Sequence, residues 1–116
     1  MKRSLAELVA RWEQVAKRAA TYNLTLDDWL NDLDLRDIIS REDIDRASAD
    51  ASILRSRLDA ADRLFREATS QATGSLWGHV AGAGHDAIRH WWYFRYPRSP
   101  GDSMRRDLSA AGILLR

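Results

Sequence analysis

The chain has no cysteine, which excludes disulfides, thiolate metal sites and cysteine nucleophiles. It also lacks any apolar run long enough to span a bilayer. The least polar stretch, Leu76 to Phe94, is interrupted by His79, His85, Asp86, Arg89 and His90. No secretory h-region is visible, because Met1-Lys2-Arg3 leads straight into an amphipathic pattern carrying Glu7, Arg11 and Glu13. Strand signals are missing as well, with no alternating run bounded by hairpin turns. Lysine is scarce: sixteen of the eighteen basic residues are arginine. A GC-rich coding bias accounts for both the arginine and the abundant alanine, with selection for bidentate carboxylate or phosphate recognition as the functional alternative. These absences lead to the expectation of a cytoplasmic protein with no membrane association.

What is present suits one small domain over residues 1–116. The length of 116 residues, a hydrophobic fraction of 45% and a charged fraction of 30% provide one core and an ordinary polar surface. Net charge is only +1 but unevenly placed: residues 26–50 sum to −6, whereas residues 1–25 and 76–116 each sum to +3. Surfaces of opposite sign are expected, facing either each other or partners.

Helix periodicity carries the fold reading. Ser4 and Glu7 have capping-box spacing, and Leu5, Leu8, Val9, Trp12, Val15, Ala16 and Ala19 form one apolar stripe that Thr21-Tyr22-Asn23 ends. Thr25 is the next N-cap, with Asp27 and Asp28 in the first turn. Leu26, Trp29, Leu30 and Leu33 share a face that Leu35, Ile38 and Ile39 do not continue. The segment is two short helices broken near Asp34 or one helix buried on both sides, and the break is the reading taken. From a cap at Ser40 and Asp43, the series Ile44, Ala47, Ala51, Leu54, Leu58, Ala61, Phe65, Ala68 and Ala72 keeps heptad steps up to Gly74. A central helix of roughly thirty residues, about 45 Å long, is expected. Ile53, Ala60 and Leu64 widen its apolar face, while Arg55, Asp59, Arg63 and Glu67 make an outer charge ladder. Gly74, Gly78, Gly82 and Gly84 thin the next segment, helix resumes over His85 to Phe94, and Pro97 and Pro100 bracket a loop. A last helix starts at Ser99-Pro100, runs through Met104, Leu108 and Ala111, and ends at Gly112, with Ile113 folding back. The expected fold class is all-α, a single small bundle of four to six helices around the heptad helix. Its alanine-rich seam suits a homodimer or an intramolecular bundle equally.

Two segments are candidates for function. Arg89-His90-Trp91-Trp92-Tyr93-Phe94-Arg95-Tyr96-Pro97-Arg98 interleaves five aromatics with three arginines. Trp, Tyr and Arg dominate protein hot spots, and aromatics with arginines also bind single-stranded nucleic acid; the plainer reading is core packing with arginines reaching water. Arg89, His90, Trp91, Trp92, Arg95 and Arg98 are its candidate contact residues. The acidic block, represented by Asp27, Asp28, Asp32, Asp34 and Asp37, reads as helix caps and solvated faces, or as a docking face for a basic partner. No calcium loop is expected there, since hydrophobics interleave and glycine is missing. His79, His85 and His90 stand six and five apart, a poor fit to a metal site. No catalytic constellation stands out, and no cofactor or metal is expected. The leading expectation is a non-enzymatic interaction protein, a small helical regulator of antitoxin, immunity or adaptor type with a protein partner. The alternative is a nucleic-acid binder or RNase-like toxin using His85, Arg89, His90 and Arg95.

Overall fold

The computed structural model describes residues 4–42, 51–76 and 86–113. Among these the chain is mostly helical, at 69%, with four α-helices and one small two-stranded sheet. The helices are α1 (Leu5–Arg18), α2 (Leu26–Arg41), α3 (Ala51–Ala68) and α4 (Asp102–Ala110). Short 3-10 turns follow α1 at Ala19–Thr21 and lie within the aromatic segment at Trp91–Phe94.

α1 forms as its pattern dictates. Ser4 Oγ accepts the Glu7 N–H at 3.2 Å, and Leu8, Val9, Trp12 and Ala16 are buried along one stripe. α2 corrects the expected break: it runs unbroken through Asp34. Its N-terminus is held twice, by a reciprocal Thr25–Asp28 capping box and by the Asp107 carboxylate of α4, which accepts the Leu26 N–H at 3.0 Å. Its apolar residues surround the axis because two sides are used. Trp29, Leu30, Leu33 and Ile39 are buried in the core, while Leu35 and Ile38 face another way. Ser40, taken as the cap of the next helix, lies inside α2 and donates to the Asp37 carbonyl.

The long heptad helix is not confirmed. The described part, α3, ends at Ala68, and the expected seam positions Ile44 and Ala47 lie outside the described residues. The seam that α3 does carry, Leu54, Leu58, Ala61 and Phe65, is buried within this chain, where α3 packs on α1. Ile53, Ala60 and Leu64 do not widen that face; they are exposed.

The all-α expectation needs a second correction. Thr69–Gln71 (β1) pairs antiparallel with Arg95–Pro97 (β2), matching Thr69 to Pro97 and Gln71 to Arg95. Helix therefore does not resume over His85 to Phe94; its described part, from Asp86, is a turn and then the 3-10 turn that feeds β2. Three-residue strands are too short to leave an alternating signal, and Pro97 is tolerated because a two-stranded ribbon has only edges. The loop into α4 is zipped to the end of α1 by Ser99 N–H to Ala20 O (2.7 Å) and Gly101 N–H to Tyr22 O (2.8 Å). Gly101 is needed there: a Cβ would sit 2.9 Å from the Asn23 Cα. α4 starts at Asp102, two residues after Pro100. It ends as expected, with Gly112 at φ +79° and Ile113 N–H returning to Leu108 O at 2.9 Å.

The core is an aromatic stack with one ionic network in it. Trp12 and Trp29 lie against Phe65 with ring centroids 4.8 and 5.4 Å away, and Tyr22 meets Trp29 edge-on. Asp62 of α3 accepts Trp12 Nε1–H, Arg36 Nε–H and Arg36 Nη2–H, each at 2.9 Å. One carboxylate thus ties α1, α2 and α3 together. No helix among the described residues is long and apolar enough to cross a membrane.

Candidate partner-binding site

The two candidate segments meet in the fold. Tyr93 donates its hydroxyl proton to Asp34, and the Arg36 guanidinium lies 4.8 Å over the Trp92 ring, so α2 packs directly on the aromatic turn. Trp92 and Tyr93 are buried, and Trp91 is partly buried between Phe65 and the Arg66 guanidinium, 3.8 Å above its ring. Burial and the Asp34 charge push the Tyr93 hydroxyl well above the usual tyrosine range.

Arg95 is spent inside the molecule. Its guanidinium donates to Thr69 Oγ1 (2.6 Å), Gln71 Oε1 (3.0 Å), Arg66 O (3.1 Å) and Thr69 O (2.8 Å). It closes the carbonyl end of α3, where a cation is favoured, from a strand far along the chain. Burial first, then Arg66 and Arg98, lowers its proton affinity. Its backbone carbonyl accepts Trp29 Nε1–H at 3.1 Å, fixing β2 to α2.

Arg89 and Arg98 remain exposed. His90 is held in a turn in which its Nδ1 accepts the Asp86 N–H. The Asp86 carboxylate accepts the Ile88 and Arg89 amides, which lowers its pKa. His79 and His85 lie outside the described residues. Among the described residues no three His, Asp or Glu side chains converge as metal ligands.

The acidic block divides by task. Asp28 caps α2, Asp27 is exposed in its first turn, and Asp37 pairs with Arg41 one turn on. Asp34 holds Tyr93, and Asp32 accepts the Tyr22 hydroxyl at 2.7 Å. Burial raises the Asp32 pKa, the Tyr22 bond opposes this and the Asp28 charge adds to it. Tyr22 is itself raised strongly, by burial and by its bond to Asp32.

Asp32 and Asp34 also border a groove that sequence reading missed. Two adjoining hollows of about 790 and 410 Å³ run between the outer sides of α1 and α2, sharing Arg11 and Leu35. Val15, Leu24, Leu35 and Ile38 supply apolar surface, Ile38 being 45% exposed. Arg11, Lys17 and Arg18 stand on the α1 side; Asp32, Asp34 and Glu42 stand on the α2 side. The outward setting of Leu35 and Ile38 was the available signal, since these residues fail to join the face of Trp29 and Leu33.

A smaller cavity of about 260 Å³ opens where α2, α3 and the aromatic turn meet, lined among others by Arg36, Arg55, Arg89, Trp91 and Trp92. Arg36 carried a signal too: it sits three residues from Leu33 and from Ile39, a charge within a buried row.

Comparison with known proteins finds no matching family model, no matching curated protein and no matching solved structure.

Proposed function

We propose that this chain is a non-enzymatic protein-interaction module, a small helical regulator of antitoxin, immunity or adaptor type. Its binding surface is the α1–α2 groove, and the occupant is an amphipathic helix of a partner protein. One observation carries the reading: an apolar strip lies between a basic rim (Arg11, Lys17, Arg18) and an acidic rim (Asp32, Asp34, Glu42). Helix-in-groove recognition uses apolar anchors at i, i+3, i+4 and i+7, and rim charges select the partner and its direction. The complementary helix carries acidic side chains on one flank and basic side chains on the other.

The burial of Trp92 and Tyr93 and the internal bonds of Arg95 favour this groove over the aromatic segment as the contact surface. Trp91, Trp92 and Arg95 then act by holding α2 in place.

The test is affinity capture from native lysate with wild-type and Ile38→Asp bait, each half nuclease-treated. A protein captured in stoichiometric amount, resistant to nuclease and lost with Ile38→Asp, supports the module. Capture equal with both baits overturns the groove. Nucleic acid recovered by the bait, with binding that falls steeply with salt, moves the function to the exposed Arg89–Arg98 side.

A further inference from the structure

We propose that the cavity between α2, α3 and the aromatic turn binds a small oxyanion, a carboxylate or phosphate group, through Arg36, Arg55 and Arg89. The three arginines come from three separate parts of the chain and line one space of about 260 Å³. Sequence distance hides this convergence; only the packing of Trp92 under Arg36 creates it.

Arg36 is the built part of the site. It is 8% exposed, and two of its three guanidinium nitrogens are fixed on Asp62 at 2.9 Å. The third, Nη1, is buried and has no hydrogen-bond acceptor among the described residues. Buried donors are nearly always matched, and an unmatched one beside a cavity points to an acceptor that enters from outside.

The charge around the cavity fits. The lining carries three arginines against Glu42, and Asp62, which lies outside the lining, offsets Arg36, so one net positive charge remains around the cavity. Arg55 and Arg89 are exposed and draw an anion toward the opening, while Ile39, Leu58 and Trp91 exclude water around the bound group and strengthen the contact. A planar, singly charged carboxylate suits guanidinium geometry; a phosphate group shares the same chemistry.

The test uses the full chain, with the Trp92 indole and Arg36 Nε signals followed by nitrogen–proton NMR and Trp92 assigned through Trp92→Phe. Sodium acetate and sodium phosphate are titrated separately against sodium chloride at matched ionic strength. At least one oxyanion is expected to shift these signals saturably while chloride does not. The one that saturates at lower concentration identifies the ligand class. Arg55→Gln with Arg89→Gln is expected to weaken the affinity by about tenfold or more, and Arg89→Gln alone, in an exposed turn, repeats the test if the double variant unfolds. Linear drift shared with chloride, or unchanged saturation in the variants, overturns the proposal.

Discussion

Removing the Asp62 carboxylate tests the energetic centre of the fold. Asp62→Ala deletes three hydrogen bonds at once and leaves the Arg36 guanidinium, 8% exposed, without its counter-charge. Breaking a buried ion pair from one side costs about 3–5 kcal/mol. The stranded Trp12 indole N–H adds about 1 kcal/mol or more. Because the losses share one site they do not simply add, and about 4–6 kcal/mol is the expected total. Domains of this size have roughly 5–15 kcal/mol in all. At about 4 °C per kcal/mol, the melting temperature drops by about 15–25 °C. The double replacement Arg36→Met with Asp62→Leu removes both charges and retains apolar volume, so it recovers about 2–3 kcal/mol relative to Asp62→Ala. Chemical denaturation of wild type, Arg36→Met, Asp62→Leu and the double variant yields the coupling energy. A loss below about 1 kcal/mol in Asp62→Ala, or strict additivity in the double variant, would refute the network as described.

Three further outcomes follow from individual contacts. Arg95→Ala removes the guanidinium that closes α3 and braces β1, and a loss of about 2–4 kcal/mol is expected from denaturation; Arg95→Lys recovers little, since one ammonium cannot reproduce four directed bonds. Asp32 has a folded pKa raised above its ordinary 3.8, so the folded state binds the extra proton and stability falls as pH rises from about 3.8 through the raised value. Asp32→Asn therefore stabilises at neutral pH and loses that advantage below about pH 4, which melting temperatures across pH will check; an advantage independent of pH contradicts the assignment. Gly101→Ala forces a Cβ onto the Asn23 backbone and is expected to cost about 1–3 kcal/mol, measured as a shift in denaturation midpoint.

What the sequence made legible was local. The Ser4 cap, the α1 stripe, the Thr25 start of α2 and the Gly112–Ile113 ending all depend on residues within a turn or two of one another. The failures share a different origin. α2 continues past Asp34 although its first apolar face runs out, because Asp34 is engaged by Tyr93 and Arg36 by Asp62, partners 59 and 26 residues away. α3 stops at Ala68 because Arg95 takes the Arg66 and Thr69 carbonyls, which no periodicity records. The charge segregation was read correctly as a feature but not resolved: part of the acidic block meets the aromatic turn inside the molecule, and part borders the groove. The groove needs residues from both α1 and α2, and the oxyanion cavity needs three elements. Neither exists until the chain folds.

The most direct test of the groove is calorimetric titration with synthetic amphipathic helices of one leucine stripe and three flank designs: acidic on one side and basic on the other, acidic on both, and basic on both. One-to-one saturation by the mixed-flank helix is expected, with about tenfold weaker binding of the uniform ones and loss of the signal in Ile38→Asp. Equal binding of all three designs, undiminished binding to Ile38→Asp, or saturation by none would contradict the groove.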